Sequence, residues 1–291
     1  MSEDNFQIDP IHTCTGESMK GSILRYPGGK AKLYPTIKNI VEEHDLKKSV
    51  YVEPFAGGFG IGLKAMQEDL FAGYIINDVD YHVYAFWTVL FDHTDDLIDL
   101  INNTPVNVET WRVQKAVYDN YNDHTLLEVG FSFFFLNRSN YSGVLTGGPI
   151  GGIEQKGKYK IDCRFSKETL IKNIKTIAEH RDSVTIYNMD AQVFITDVIL
   201  KHQEELLIYF DPPYVEKGQA LYTNFYKTHN HIELQRVIFR ELDNINWLMT
   251  YDDCELVREL YFVLFPERYK LNYVAGIKRE GNELFIKHIV A

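Results

Sequence analysis

One tetrapeptide joins a carboxylate, two rigid residues and an aromatic ring: Asp211, Pro212, Pro213 and Tyr214. Because Pro213 keeps Pro212 extended and both rings fix the backbone, the Asp211 carboxylate and the Pro212 carbonyl form a rigid pair of hydrogen-bond acceptors. Two fixed acceptors suit an amino group with two hydrogens, and Tyr214 offers a stacking surface to the ring that bears this amine. Such a pair favours the nucleophilic geometry of the amine and stabilises positive charge that develops on it.

A glycine-rich turn, VEPFAGGFG, occupies residues 52–60 between an apolar run and a helical pattern. Glycine permits a tight turn and close approach of a ligand, so candidate cofactor contacts lie here: Glu53, Phe55, Gly57 and Gly58. About twenty residues further on, an apolar run ends at Asp78, whose carboxylate can accept hydrogen bonds from both hydroxyls of a ribose. These features favour an adenosine-containing cofactor, either a dinucleotide or S-adenosylmethionine. The alternatives are a turn without a ligand and, for Asp78, a helix N-cap.

The segment RYPGGK, residues 25–30, precedes this turn. Its loop can cover one side of a cofactor, with the Lys30 ammonium near a carboxylate and the Tyr26 ring against an apolar or cationic group. It is not a phosphate loop, because the remaining glycine and hydroxyl spacing of that motif is missing. An ordinary turn is the alternative.

Seven apolar runs predict the β-strands that position these groups: residues 49–55, 73–80, 183–190, 205–214, 245–253, 269–275 and 283–290. Helical patterns follow the first, third and fourth of them. This alternation predicts an α/β fold with a mainly parallel sheet, and open sheets of this kind bind ligands at the carboxyl ends of their strands, where Asp211 falls. A short connection between the last two runs predicts a hairpin, so the last strand is expected to be antiparallel.

Residues 85–182 interrupt the alternation and predict an inserted, mostly helical domain. The catalytic domain would then comprise residues 21–84 and 183–291, with residues 1–20 as a flexible tail. The insert combines glycine-rich loops with basic and aromatic residues, a mixture that suits phosphate binding and base stacking. The phenylalanines of its FSFFF run are expected in the core.

The composition limits the range of functions. The chain has 291 residues, 45% of them hydrophobic, and a formal net charge of −11. The apolar share predicts a sizeable core, whereas the acidic balance disfavours a generic polyanion binder, because such binding depends on Lys and Arg. Residues 156–175 are nevertheless locally basic. Neither a membrane span nor a signal peptide is recognisable, which predicts a cytoplasmic protein, and the cysteines and histidines show no metal-binding spacing.

Six segments, in their order along the chain, resemble the Dam-like group of adenine-specific DNA methyltransferases: RYPGGK, VEPFAGGFG, NDVD, FLNRSNYSG, GKY and DPPY. The resemblance implies a seven-stranded Rossmann-like methyltransferase sheet, an inserted target-recognition domain and S-adenosylmethionine as methyl donor. It also implies that the target adenine is rotated out of the duplex into the pocket.

The resemblance further assigns roles to residues of this chain. It implies that Tyr26, Lys30, Asp78 and Asp211 lie at the donor and that Asp190 meets the adenine amine of the donor. The tetrapeptide from Asp211 to Tyr214 becomes the catalytic loop. The TGGPIGG stretch departs from the recognition loop of Dam-type enzymes, so no recognition sequence is carried over.

Two groups of residues in the insert are candidates for nucleic-acid contacts. Base or phosphate contacts are expected from three of them, since Arg pairs with guanine and Asn with adenine: Arg138, Asn140 and Tyr141. A structural hydrogen-bonding role is the alternative for each. Backbone phosphates are expected to bind three lysines: Lys156, Lys158 and Lys160.

We therefore predict a site-specific enzyme that methylates the exocyclic amine of adenine in duplex DNA. The same chemistry on structured RNA and a non-catalytic DNA-binding relative are the alternatives. A nicotinamide-dependent oxidoreductase would explain Gly58 and Asp78 but not the tetrapeptide. The expected partner is duplex DNA, with a cognate restriction endonuclease as an open option that need not form a stable complex. The protein is expected to act away from membranes as a monomer or weak dimer.

Overall fold

The computed structural model describes residues 23–25, 29–215, 226–273 and 279–290. The predicted tail and Tyr26 lie outside these residues, as does the turn between the last two strands. Within them, no helix has the length and apolar content needed to span a bilayer.

Seven strands form one sheet in the order β3-β2-β1-β4-β5-β7-β6. They are β1 Val50–Glu53, β2 Gly73–Asn77, β3 Val184–Tyr187, β4 Leu206–Phe210, β5 Asn246–Asp252, β6 Glu267–Tyr273 and β7 Arg279–His288. The first five strands pair in parallel, and β7 runs antiparallel to both β5 and β6. The predicted Rossmann-like sheet with an antiparallel last strand is confirmed.

Helices connect the strands and form most of residues 85–182, the predicted insert. The α-helices are α1 Tyr34–Glu43, α2 Gly60–Gln67, α3 Tyr81–Asp92, α4 Thr94–Asn103, α5 Val108–Asp119, α6 Leu126–Ser139, α7 Lys167–Ala178, α8 Ala191–Asp197, α9 Thr228–Glu241 and α10 Glu255–Tyr261. Short 3-10 helices cover Ala31–Leu33, Leu46–Lys48, Tyr121–Asp123, Tyr141–Gly143, Arg181–Ser183, Ile199–Lys201 and Phe262–Leu264.

Both faces of the sheet are covered, which explains why β4 reads as a continuous apolar run. Leu207 and Tyr209 join the cluster that contains the insert helices. The alternate residues Leu206, Ile208 and Phe210 join the cluster on the other face. Every residue of β4 is therefore buried, and the chain reaches solvent only after the strand ends.

The insert packs its α6 helix closely against α3. A capping box formed by Thr125 and Glu128 begins α6, and the phenylalanines of the FSFFF run are buried as predicted. Gly130 permits the close approach, because a Cβ atom there would lie 2.8 Å from the carbonyl oxygen of Ala85. Residues of the insert thus share one core with the sheet.

The strand order reverses between β1 and β4. The chain passes outward from β1 through β2 to β3 and then returns to place β4 on the other side of β1. Such a reversal opens a crevice at the carboxyl ends of the two central strands. Glu53 ends β1 and Asp211 follows β4, so both predicted carboxylates lie at this crevice.

Candidate active site

Lys30 holds the tetrapeptide at the carboxyl end of β4. Its Nζ atom donates to Asp211 Oδ1 at 2.5 Å and to the Tyr214 hydroxyl at 3.2 Å, and it lies 3.4 Å from Glu283 Oε2. The Tyr214 hydroxyl donates to Glu283 Oε1 at 2.5 Å. Lys30 and Glu283 are 4% and 1% exposed, whereas the Asp211 side chain is 25% exposed. Two protein carboxylates, Asp211 and Glu283, therefore face the Lys30 ammonium, and the predicted place of Lys30 at a cofactor stays a prediction.

One oxygen of Asp211 is engaged and the other is available. Thr250 Oγ1 donates to Oδ1 at 3.1 Å, and Tyr209 lies behind it with its hydroxyl 2.6 Å from Thr250 Oγ1. The Lys30 contact also goes to Oδ1. Among the described residues, Oδ2 accepts no hydrogen bond, so it is free to accept one from a ligand.

The charges of this cluster do not cancel. Burial alone would lower the pKa of the Lys30 ammonium, but Asp211 and Glu283 outweigh burial and raise its pKa above the ordinary value. Burial raises the pKa of the Asp211 carboxyl, Lys30 opposes the rise and Glu283 adds to it. One ammonium facing two carboxylates leaves an excess of negative charge, which favours a cationic ligand.

The glycine turn and Asp78 form a second part of the site. Asp78 Oδ2 accepts the Gly57 N–H at 2.9 Å, and Oδ1 accepts the Asp80 N–H at 2.9 Å. Burial raises the pKa of Asp78 to about 7, although these two N–H bonds oppose the rise. Each carboxylate oxygen keeps room for another hydrogen bond, so both ribose hydroxyls can be accommodated. The N-cap of α3 is Asp80, whose side chain accepts the His82 N–H, and not Asp78.

Buried Asn77, the last residue of β2, joins the loops that follow β1 and β3. Its side-chain amide donates to the carbonyls of Pro54 and Met189 at 2.9 and 3.0 Å, and its oxygen accepts the Met189 N–H at 3.0 Å. From the insert, the Trp87 indole donates to the Gly57 carbonyl at 3.0 Å. Gly57 has a φ of +44°, a conformation that favours glycine. The turn is thus held from both sides before any ligand binds.

Glu53 has a structural role in the turn. Its Oε1 accepts the Tyr51 hydroxyl at 2.9 Å and the Gly62 N–H at 3.3 Å. Burial raises the pKa of Glu53 to about 8; the Tyr51 bond opposes this rise and Asp211 adds to it. The carboxyl therefore anchors the start of α2 largely in its protonated form near neutral pH, and its predicted contact with a cofactor stays a prediction.

An aromatic residue that the sequence did not single out completes this part of the site. The Tyr226 ring packs edge-on against Phe55, with 5.9 Å between centroids. Burial raises the pKa of the Tyr226 hydroxyl, and the charges of Asp190 and Asp78 add to this effect. Asp190 itself caps α8, where its Oδ1 accepts the N–H groups of the next turn.

The predicted nucleic-acid residues divide into exposed and structural groups. Tyr141 is 65% exposed, and Lys156, Lys158 and Lys160 are exposed. Asn140 is fully buried, with its amide bonded to the Trp111 indole and to the carbonyls of residues 144 and 145. The structural alternative therefore describes Asn140.

Arg138 is also bound within the protein. Its guanidinium donates to the Arg164 carbonyl, with 2.9 Å from Nε. Burial lowers the pKa of Arg138 to about 10, and the positive charges of Arg25 and Arg164 add to the effect. A nucleic-acid contact by Arg138 stays a prediction.

The three lysines lie on a compact loop that the Gln155 side chain organises. Gln155 Nε2 donates to the carbonyls of Ile150 and Gly152, and its Oε1 accepts the Ile161 N–H at 2.9 Å. The loop presents Tyr159, which is 61% exposed and has the Lys158 Nζ 5.7 Å from its ring centre. Sequence reasoning missed Gln155, although its place between the pair Gly151–Gly152 and Gly157 was a usable signal.

A parallel sheet whose strand order reverses between β1 and β4, with a glycine-rich turn after β1, an acid after β2 and the Asp211 tetrapeptide after β4, has the arrangement expected of a methyltransferase. Residues 26–271 match the D12 class N6 adenine-specific DNA methyltransferases, and the chain belongs to this family. Membership implies S-adenosylmethionine as the methyl donor.

Two other proteins show similarity. The ribosomal RNA small subunit methyltransferase G of Petrotoga mobilis is 26% identical over 194 residues, covering 58% of this chain and 83% of that protein. The solved structure of the rRNA methyltransferase aviRa from Streptomyces viridochromogenes superposes with a TM-score of 0.42 at 11% identity, covering 92% of this chain and 90% of the other.

Proposed function

We propose that this methyltransferase transfers a methyl group from S-adenosylmethionine to the exocyclic amine of adenine in duplex DNA. The arrangement of Asp211 carries the proposal. Lys30 and Thr250 hold its Oδ1 atom, Oδ2 has no partner among the described residues, and the Pro212 carbonyl follows Asp211 directly in the chain. The two acceptors match the two hydrogens of an amine.

The residues at the crevice fit the donor. Asp78 can accept the ribose hydroxyls, Asp190 is the residue proposed to meet the adenine amine, and the rings of Phe55 and Tyr226 supply apolar surface. The excess negative charge around Lys30 complements a cation. When bound, the donor supplies an activated methyl group on a positively charged sulfur.

The chain contributes alignment and electrostatic stabilisation. Hydrogen bonds from the amine to Asp211 and Pro212 direct its lone pair away from the ring, and the Asp211 charge stabilises the positive nitrogen that forms. The nitrogen then releases a proton, which the free Asp211 oxygen can accept. Because the Tyr214 ring is only 4% exposed, stacking on a base requires a local rearrangement as the base arrives.

Duplex DNA is favoured over RNA by family membership, since the family is defined by DNA methylation. The exposed lysines and tyrosines of the insert suit phosphate binding and stacking. Structured RNA is the second candidate, because the relative from Petrotoga mobilis is a ribosomal RNA methyltransferase by name. Base flipping and a link to restriction–modification belong to the DNA proposal.

The test uses labelled S-adenosylmethionine with duplex DNA and with structured RNA. We expect the wild-type protein and Glu205→Ala to label adenine in DNA, because Glu205 is exposed at the opposite end of β4. Asp211→Ala should lose the activity while keeping its fold. Label in RNA alone would reject the DNA substrate, and near-normal turnover by Asp211→Ala would reject the acceptor pair. Mapping of methylated adenines in DNA from cells that express the chain would then give the recognition sequence.

A further inference from the structure

A buried carboxylate on the antiparallel strand β7 reaches the catalytic loop. Glu283 pairs with Asp252 of β5 and with Tyr269 of β6 in the register of the sheet, and its side chain is 1% exposed. A carboxylate at such a position is costly unless it is paired and hydrogen-bonded. Its contacts therefore indicate what it does at this site.

The two oxygens of Glu283 contact different parts of the site. Oε1 accepts the Tyr214 hydroxyl at 2.5 Å, and Oε2 lies 3.4 Å from Lys30 Nζ, the atom that also holds Asp211. The ring expected to stack on the base and the carboxylate expected to bind its amine are thus joined through one side chain.

We propose that Glu283 is a positioning residue for methyl transfer, an inference that rests on the function proposed above. It fixes the orientation of the Tyr214 ring through the hydroxyl, and it shares the Lys30 ammonium with Asp211. Because Glu283 shares the ammonium, Lys30 neutralises Asp211 less completely, and the Asp211 oxygen is a more basic and therefore stronger acceptor for the amine than it would be in a pair with Lys30 alone. The Tyr214 ring and the Asp211 carboxylate are then positioned by the same side chain.

A purely structural role is the alternative: Glu283 would serve only to compensate the buried charge of Lys30. Two conservative variants separate the roles. Glu283→Gln keeps an acceptor oxygen for the Tyr214 hydroxyl but removes the charge. Tyr214→Phe keeps the charge but removes the hydroxyl. Glu267→Gln is the matched control, because Glu267 is a 64% exposed carboxylate on the adjacent strand β6.

The experiment measures kcat and KM on a duplex that carries the mapped recognition site. We expect Glu283→Gln to lower kcat on the order of 10- to 100-fold, the range for hydrogen bonds and pairs of charged groups, with a much smaller change in KM for the donor. Tyr214→Phe should also lower kcat, and the double variant should lose less than the product of the two single losses. Glu267→Gln should behave as wild type.

The pH profile gives a readout that a structural role would not change. When Glu283 loses its charge, Asp211 loses a negative neighbour, so the acid limb of kcat should move to lower pH in Glu283→Gln. The variant leaves the other ionisable groups around Asp211 unchanged. They are Lys30, Glu53 at the end of β1, Tyr209 of β4, whose hydroxyl contacts Thr250 of β5, and Tyr214.

Three outcomes would overturn the inference. The first is a folded Glu283→Gln protein with wild-type kcat and an unmoved acid limb. The second is independent, multiplicative losses in the double variant. If Glu283→Gln does not fold, Tyr214→Phe with unchanged kcat is the third. A wild-type protein that methylates neither DNA nor RNA would instead reject the proposed function, and the inference with it.

Discussion

At the scale of single residues, Lys30 is the group on which the other charges of the site depend. It is 4% exposed and contacts two carboxylates and one phenol hydroxyl. Removal of its ammonium would leave Asp211 and Glu283 facing each other across a buried space. Such like charges cannot both stay ionised without a large cost in free energy.

We expect Lys30→Ala to lower the free energy of unfolding by about 3 kcal/mol, the low end for a broken buried pair because Asp211 is 25% exposed. The control is Lys38→Ala, since Lys38 pairs with Glu68 on the surface, at 37% and 45% exposure. That change should cost at most about 1 kcal/mol. Urea unfolding measures both, and equal losses would contradict a special role for Lys30.

A second prediction at this scale concerns Glu53 and pH. Its pKa is raised to about 8 from an ordinary value of 4.5, so the folded state binds more protons than the unfolded state between these values. The contribution of Glu53 to the free energy of unfolding should therefore be fully present below pH 4.5 and be lost as pH rises to about 8. Asp78 acts in the same direction up to about pH 7.

Glu53→Gln should flatten this dependence, most clearly between pH 7 and 8, where Asp78 no longer contributes. The amide oxygen can still accept the bonds from Tyr51 and Gly62, so the turn keeps its anchor. Urea unfolding across this pH range gives the answer. An equally steep fall in the variant would show that Glu53 ionises normally in the folded protein.

The single residues of the site were predictable only where the sequence signal was local. The Asp211 tetrapeptide and the glycine turn consist of neighbours whose types already imply a rigid acceptor pair and a ligand turn. Glu283 and Thr250 reach the site through sheet pairing, which links residues far apart in sequence. Within the run ELFIKHIV, Glu283 is indistinguishable from a solvent-exposed strand residue.

At the scale of elements, the compact loop around Gln155 depends on two glycines. Gly151 has a φ of +86°, and a Cβ atom there would lie 2.6 Å from the Tyr159 carbonyl oxygen. Gly152 has a φ of +75° but no atom within 4 Å of the same position. Substitution of Gly152 would therefore add backbone strain alone, whereas substitution of Gly151 would add strain and a steric clash.

We expect Gly151→Ala to displace the segment that presents Lys158 and Tyr159, and so to weaken nucleic-acid binding on the order of tenfold, since overpacking costs about 1–3 kcal/mol. Gly152→Ala, which adds strain without a clash, should weaken it less. Fluorescence anisotropy measures nucleic-acid affinity, and calorimetry with S-adenosylmethionine checks that donor binding is unchanged. Equal effects of both variants would contradict a role for the contact with Tyr159.

The strands and helices were well predicted because the apolar runs and the helical patterns were clear in the sequence. Where each element ends depended on the residue types at its end. The apolar run 205–214 reads through the tetrapeptide, whereas β4 ends at Phe210. Prolines lack the N–H that a central strand needs, which ends the pairing. Likewise, the run to residue 190 ends as a strand at Tyr187, because Asp190 caps the next helix.

At the scale of the whole molecule, a formal charge of −11 must be reconciled with a polyanionic substrate. The exposed lysines of the insert offer one solution, since contact with phosphates releases counterions locally whatever the net charge. The division into a catalytic domain and an insert stays a prediction. One apolar cluster contains residues from both parts, such as Tyr51 and Phe133.

We expect Lys158→Ala to weaken DNA binding similarly for all sequences and to reduce the slope of log affinity against log salt by about 1. Lys47→Ala is the control, because Lys47 is exposed and precedes the amino end of β1. Titrations at several salt concentrations measure the slopes. An unchanged slope for Lys158→Ala would exclude Lys158 from the phosphate contacts.

The indole of Trp87 on α3 donates to the Gly57 carbonyl, so this helix, which spans the predicted start of the insert at residue 85, supports the turn expected to receive the donor. Its ring also packs against Phe59 of that turn, with 5.8 Å between centroids. Free-energy coupling between two ligands is reciprocal. If nucleic-acid binding shifts this helix, it changes the affinity for S-adenosylmethionine by some factor. Binding of S-adenosylmethionine then changes the affinity for nucleic acid by the same factor. Trp87 would then affect how long one substrate stays bound before the other one binds.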